Sequence, residues 1–414
     1  MTIDNTDIEH LAGEFRRTLP EFTGFALELR REFHRHPRVS GDESDTRERF
    51  AEATGVVFDE VASTGGIARI GPATGPTIAV RGELDALPVS ESTGMNWAST
   101  NGAMHACGHD VHLAALAAVT LAAQRLDLPY GLVAVLQPRE EAYPSGAKDI
   151  EESGVLDRFD VAHVIGAHVH PRVPRGCVAT GAGAVNAAAG EVDIVLRGQG
   201  GHGAYPHQAA DVVAALSSIA LGLPELVRRN VDPLAPALFS VGRLIADAGA
   251  ANVLPHRGRL VATIRTSSSE DTSRLEHAVK SFVDGTANAY GLEATTTVTR
   301  GEPVLSNDAI LAAGIERLLP TFGLEPSEPM RSLGSDDFSF FSAQRPSIMS
   351  FVGVGDPDDP MRGPALHDAT FLPDDDAVMR VANTMTAGYL AAAQGLVTGG
   401  RAPNSLAPAP RPTE

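Results

Sequence analysis

The chain has 414 residues, 43% apolar and 21% charged, which is the texture of a globular protein with material for more than one buried core. Its 52 acidic residues against 33 basic ones give a net charge of -19, which argues against a phosphate-binding surface and so against nucleic acid or an anionic membrane as partner. No apolar run approaches the roughly 20 residues that span a bilayer, the first residues lack the pattern of a secretory leader, and two cysteines are too few for a disulfide framework, so the expected compartment is the cytoplasm.

In chain order, Ile8 to Phe33 has helical apolar spacing and stops at His36-Pro37. Short apolar runs at 77–80 and 132–136 then alternate with helical stretches such as Val111 to Arg125, the signature of an α/β domain around a mainly parallel sheet with helices on both faces. A Gly/Ala-rich segment, Gly181 to Gly190, reads as a hinge. Beyond it come a strand (Glu191 to Leu196), a helix (Gln208 to Arg228) and strands near Ala237 to Leu244 and Gly258 to Arg265. A helix (Ser269 to Asp284) and a strand (Ala294 to Arg300) complete the series. That order predicts a smaller α+β open-faced sandwich, residues 186–299, inserted into a first domain made of 1–185 and 300–397. The first domain would end in a helix near Asp374 to Ala393, and the Pro/Ala/Gly-rich tail 398–414 is expected to be disordered.

Metal-ligand chemistry is densest at His105-Ala106-Cys107-Gly108-His109-Asp110-Val111-His112, where thiol, imidazoles and carboxylate fall within eight residues. Three further segments carry donors. Glu140-Glu141 follows the apolar strand ending at Leu136, and the carboxyl ends of strands in an α/β sheet are where ligands bind. One acid of such a pair can coordinate a metal while its neighbour acts as general base. His168 and His170 end another apolar strand and share a face, so spacing does not choose between them. His367 lies in a polar loop near the C-terminus.

These segments, with others in the same order, resemble a known family. Leu29 to Pro37, Arg81 to Pro88, His105 to His112, Gln137 to Glu141, Gly200 to His207, Ala251 to Pro255, Gly334 to Ser339 and Leu366-His367 are similar to the dinuclear-metal amidohydrolases. That family includes hippurate hydrolase, indole-3-acetyl-amino-acid hydrolases and N-acyl-amino-acid amidohydrolases, relatives of aminoacylase and the carboxypeptidase G group. The resemblance implies two divalent ions (zinc, manganese, cobalt or nickel) held by Cys107, His109, Glu141, His168 and His367, with Glu140 as general base. It also implies that His202, in an inserted lid and dimerisation domain, reaches the substrate carbonyl oxygen, in the same or the partner subunit of a homodimer. Asp85 and Asp110 are expected to orient metal ligands through hydrogen bonds. Asn252 and Arg265 are expected to bind substrate, a small N-acyl amino acid or related amide. Departures include Glu83 where the family often has Asp, Asp336 where it has Glu, His170 in an aromatic's place and Tyr205 in a slot often filled by Met.

Two rival readings have distinct signatures. Gly198-Gln199-Gly200-Gly201-His202-Gly203 fits the dinucleotide pattern Gly-x-Gly-x-x-Gly of an NAD-dependent oxidoreductase, which also requires a helix opening at once and an acid about 20 residues on. Pro206 and the non-acidic stretch 213–224 argue against it. A metal-binding protein of the same fold without catalysis would have no need of a general base at Glu140. No Gly-x-Ser-x-Gly elbow is present to support a serine hydrolase.

Overall fold

The computed structural model describes residues 5–359 and 362–398. The chain divides into two compact units. One comprises the residues through Gly181, Asp308–Glu328 and those from Arg345 onward; the other comprises Ala182–Asn307 and Pro329–Gln344. The segment Pro329–Gln344, expected with the first unit, clusters with the second.

The first unit is built on an eight-stranded mixed sheet. At its centre Thr77–Glu83 pairs parallel with both Gly131–Gln137 and Val161–Pro174, and the latter pairs parallel with Ser347–Gly355. The outer strands Asp59–Val61 and Gly65–Ile70 join antiparallel. Central strands of a sheet covered on both faces read as continuous apolar runs, and Gly131–Gln137 is buried throughout. Its alternate residues Leu132, Ala134 and Leu136 join the core formed with helices His109–Ala123 and Ala377–Thr398, while Val133 and Val135 are buried on the other side. The α/β class and mainly parallel centre agree with expectation.

Three elements differ in detail. Ile8 to Phe33 is not one helix: Asn5–Thr18 and Thr23–Arg35 are separated by a 3₁₀ turn, Leu19–Phe22, with Pro20 near its start, because proline breaks the interior hydrogen-bond ladder but is tolerated in a first turn. The supposed hinge is largely extended, forming strand Gly183–Asn186 and the start of Ala188–Arg197. The C-terminal helix runs on to Thr398, and the rest of the expected disordered tail lies outside the described residues.

The second unit carries a four-stranded antiparallel sheet, ordered Ala237–Ile245, Arg257–Thr266, Ala188–Arg197, Glu293–Arg300. Alternate residues Val192, Ile194 and Leu196, with Leu260 and Ile264, pack against Leu216 and Ile219 of helix Val212–Asn230 and Leu275 and Val279 of helix Ser269–Ala289. The opposite alternation carries polar groups, including the Asp193–Arg259 ion pair. After Arg197 the chain enters a two-residue strand, Gly201–His202, and a 3₁₀ turn; its helix opens only at Val212, capped by Asp211. The nucleotide-binding reading of the glycine motif fails here, because no helix N-terminus follows the glycines to receive a pyrophosphate.

Candidate metal centre

The centre lies in the first unit, at the carboxyl ends of the central strands and the start of helix His109–Ala123. Gly108 precedes that helix with φ +82°, and a Cβ there would meet Val169 Cγ2 at 2.4 Å, so only glycine satisfies both the left-handed turn and the close approach. The turn sets Cys107 and His109 on its two sides. His109 Nδ1 donates to the Asp85 carbonyl at 2.8 Å, which turns Nε2 inward as a lone-pair donor.

Around that nitrogen the expected ligands gather. Donor atoms of Cys107, His109 and Glu141 lie within 4.8 Å of one another. Cys107 Sγ is 3.4 Å from His168 Nε2, and His367 Nε2 is 3.5 Å from Glu141 Oε1. His168 Nδ1 engages the Val169 carbonyl at 2.7 Å, which leaves Nε2 for the cluster. His367 has φ +68°, and its N–H donates to Ala106 O at 2.9 Å, tying it to the Cys107 segment. His170 goes elsewhere: its Nδ1 accepts from the Arg172 N–H and its ring packs edge-on against Phe351.

The electrostatics of the cluster suit a cation. His109 Nε2 and Glu141 Oε1 are buried with no hydrogen-bond partner of good geometry, a costly arrangement unless something positive joins them. Burial, then the Glu141 and Glu140 carboxylates, pushes the Cys107 thiol well above its ordinary pKa. Burial, helped by neighbouring His112, holds His168 well below its own and therefore neutral. For His109 burial is outweighed by the Glu83, Glu141 and Asp85 carboxylates, which raise its pKa. Thiol, three imidazoles and a carboxylate converging on orphaned buried atoms fit a site for divalent transition-metal ions.

Glu140 sits beside the cluster, its Oε2 3.8 Å from His109 Nε2. Asp85 touches two of the donors: its Oδ2 accepts from the Glu141 N–H at 2.9 Å, besides its carbonyl bond to His109. Asp110, expected to orient a ligand, instead accepts from Arg30 Nε at 3.1 Å and His34 Nδ1 at 3.0 Å; being the second residue of its helix, it points to the Thr23–Arg35 helix.

A second buried group, Glu83, His109, His112 and His168, also has donor atoms within 4.8 Å of one another. His112 is spoken for, since its Nδ1 pairs with Glu83 at 3.0 Å and its Nε2 accepts the Val169 N–H at 2.9 Å. Glu83 also pairs with buried Arg81. His105 is fully buried with neither ring nitrogen bonded, and burial lowers its pKa to about 3.

In the second unit His202 and Asn252 are neighbours. His202 pairs with Val253 between two short strands, and the Gly203 N–H donates to Asn252 O at 2.7 Å. His202 is exposed, and its Nδ1 accepts from the Ala204 N–H at 3.0 Å, so Nε2 carries the donor proton. Arg265 stands within strand Arg257–Thr266, opposite Leu238 and Ala189, half-buried with Nη1 unbonded.

The sequence reading missed Ser40, Glu43 and Arg139, which hold the Glu140-Glu141 backbone from behind. Ser40 and Glu43 leave only the trace of a polar run, Ser40-Gly41-Asp42-Glu43, just past His36-Pro37, and Arg139 lies inside the segment Gln137 to Glu141.

The profile of Peptidase family M20/M25/M40 matches residues 79–388. The chain is 32% identical over 361 residues to the N-acetyl-L-cysteine deacetylase of Bacillus subtilis, covering 85% of this chain and 84% of that one. An N-acetylcysteine deacetylase of the same organism is 31% identical over 337 residues, 79% and 88% of the two chains. Among solved structures, YXEP of Bacillus subtilis, described as a dinuclear metal binding peptidase of family M20, superposes with a TM-score of 0.78 at 26% identity, covering 91% of this chain and 99% of that one. The chain therefore belongs to Peptidase family M20/M25/M40, as a metal-dependent amidohydrolase.

Proposed function

We propose that this enzyme removes the acyl group from N-acyl amino acids or related small amides, with two divalent ions held by Cys107, His109, Glu141, His168 and His367. The observation that supports it most is the pair of buried, unbonded atoms, His109 Nε2 and Glu141 Oε1, inside a ring of further donors. Two deacetylases of N-acetylcysteine among the relatives support an acylated amino acid as substrate. The ions, when bound, supply the Lewis acidity that polarises the amide carbonyl and acidifies water.

Glu140 takes the proton of the attacking water as its oxygen bonds to the carbonyl carbon. It returns that proton to the nitrogen as the C–N bond breaks, releasing carboxylate and free amine. His202, with its proton on Nε2, is assigned to the developing oxyanion, and Asn252 and Arg265 to the substrate's polar ends. The second unit is assigned the roles of lid and dimerisation module. Zinc, manganese, cobalt or nickel suit the donor set. Two cysteines that form no disulfide support a reducing compartment, the cytoplasm, and no described helix is long and apolar enough to cross a membrane.

A panel of N-acyl amino acids, including N-acetylcysteine, presented to metal-loaded enzyme tests the reading. Glu140→Gln is expected to keep its metal and lose about 10²- to 10⁴-fold in kcat. Retained metal with no turnover of any amide by the parent enzyme would instead identify a metal-binding module.

A further inference from the structure

Glu140 and Glu141 lie just past strand Gly131–Gln137, in a bend, and both bring a carboxylate oxygen to within 4.0 Å of one atom, His109 Nε2, at 3.8 and 4.0 Å. Something must turn the backbone between the end of strand Gly131–Gln137 and this pair. Arg139 does so: it is a buried, non-glycine residue with φ +48°. L-residues avoid that region, and a residue held there persists only where its surroundings over-determine it.

The surroundings of Arg139 do that. Its N–H donates to Glu43 Oε1 at 2.9 Å, Nε to Pro144 O at 2.9 Å and Nη1 to Ala62 O at 2.7 Å, and Nη2 pairs with Asp149. Its carbonyl accepts from the Gly146 N–H at 3.1 Å. Gly146 has no room for a side chain, since a Cβ there would stand 1.7 Å from Pro138 O. Glu43 is completely buried, and its second oxygen accepts from Thr64 Oγ1 at 2.7 Å. A second anchor lies three residues before Glu43: Ser40 Oγ donates to Asp85 Oδ2 at 2.6 Å, and the same oxygen accepts from the Glu141 N–H. The Arg139 and Glu141 amides, on either side of Glu140, are thus tied to one loop, the first by Glu43 directly and the second through Asp85.

We propose that Glu43 is a positioning residue, which locks Arg139 in its left-handed conformation and so aims the Glu140-Glu141 segment that follows it at the donor cluster. The assignment rests on the reading of these acids as general base and metal ligand. Glu43 touches neither substrate nor ion; it acts through the backbone.

The test uses the full chain reconstituted with cobalt(II), whose thiolate charge-transfer band reports Cys107 coordination, alongside kcat, KM and thermal unfolding of the metal-free protein. Glu43→Ala is expected to lower kcat and weaken cobalt binding by about 10- to 100-fold, with KM within about twofold. Glu43→Gln, which keeps an acceptor for the Arg139 N–H, should restore both to within about threefold of the parent. If Glu43→Ala does not fold, Arg139→Asn and Arg139→Val decide. Both lose the guanidinium, but asparagine tolerates the left-handed region and valine does not, so the asparagine variant should bind cobalt about tenfold more tightly.

Parent-like kcat and cobalt binding in Glu43→Ala, or equal behaviour of the two Arg139 variants, would overturn the proposal and leave the function standing. A parent enzyme that shows neither the cobalt band nor turnover would bring down the functional reading, and the proposal with it.

Discussion

At the scale of single residues, the centre depends on protons that a cation must displace. Burial holds the Cys107 thiol in its protonated form, and His109 has its pKa raised above 6.5 by surrounding carboxylates. Binding an ion therefore releases at least the thiol proton, and the His109 proton as well below its raised pKa. The apparent affinity should rise with pH, by about tenfold per unit for each proton released, and the slope should steepen toward acid. Competition against a chelator at pH 6, 7 and 8 measures this; a flat profile would mean that the thiol is not a ligand. The donor types and the Glu-Glu pair were visible in the sequence because metal chemistry selects few side chains. Spacing did not choose His168 over His170, since both lie on one face of a strand; the resemblance did, and in the structure His170 engages the Arg172 amide and the Phe351 ring instead. Asp110 misled for a related reason: it stands next to a ligand in sequence, yet one step along a helix turns a side chain by about 100°, toward Arg30 and His34.

At the scale of elements, that same trio joins helix His109–Ala123 to helix Thr23–Arg35. Arg30 and Asp110 are both fully buried, so removing one charge strands the other, and Asp110→Asn should cost about 3–5 kcal/mol in urea unfolding. The trio also has a pH window. Despite burial, Arg30 and His34 hold Asp110 below its ordinary 3.8, so its contribution is present above that value and fades as the medium becomes more acid. His34, buried but raised above 6.5 by Asp110 and Glu91, contributes fully below 6.5 and loses its contribution as pH climbs through its raised value. The stability gap between the parent and His34→Gln should therefore be larger at pH 5.5 than at pH 9, and a gap that widens with pH would refute the assignment. Strands such as Gly131–Gln137 could be read directly, because full burial leaves an unbroken apolar run. The break at Pro20 was overlooked because a proline in the first turn of a new helical segment leaves the apolar spacing on either side intact.

At the scale of the whole molecule, the order of short apolar runs and helices was enough to name an α/β unit and a second, α+β one. What composition could not reveal was that Pro329–Gln344 belongs with the second unit, because membership there rests on non-local pairing such as Ser332 N–H with Val185 O. The five expected donors come from segments as far apart as Cys107 and His367, and the first unit folds them into a single cluster. An ion that binds only the folded chain stabilises it by mass action, about 4 kcal/mol at a thousand times its dissociation constant, so chelation should lower the unfolding temperature as well as abolish turnover. The most direct measurement is the metal content of the purified, reconstituted chain by elemental analysis, parent beside Glu140→Gln and Glu141→Ala. About two divalent ions per chain are expected in the parent and in Glu140→Gln, and fewer in Glu141→Ala. No retained ion in the parent, or an undiminished content in Glu141→Ala, would contradict that expectation.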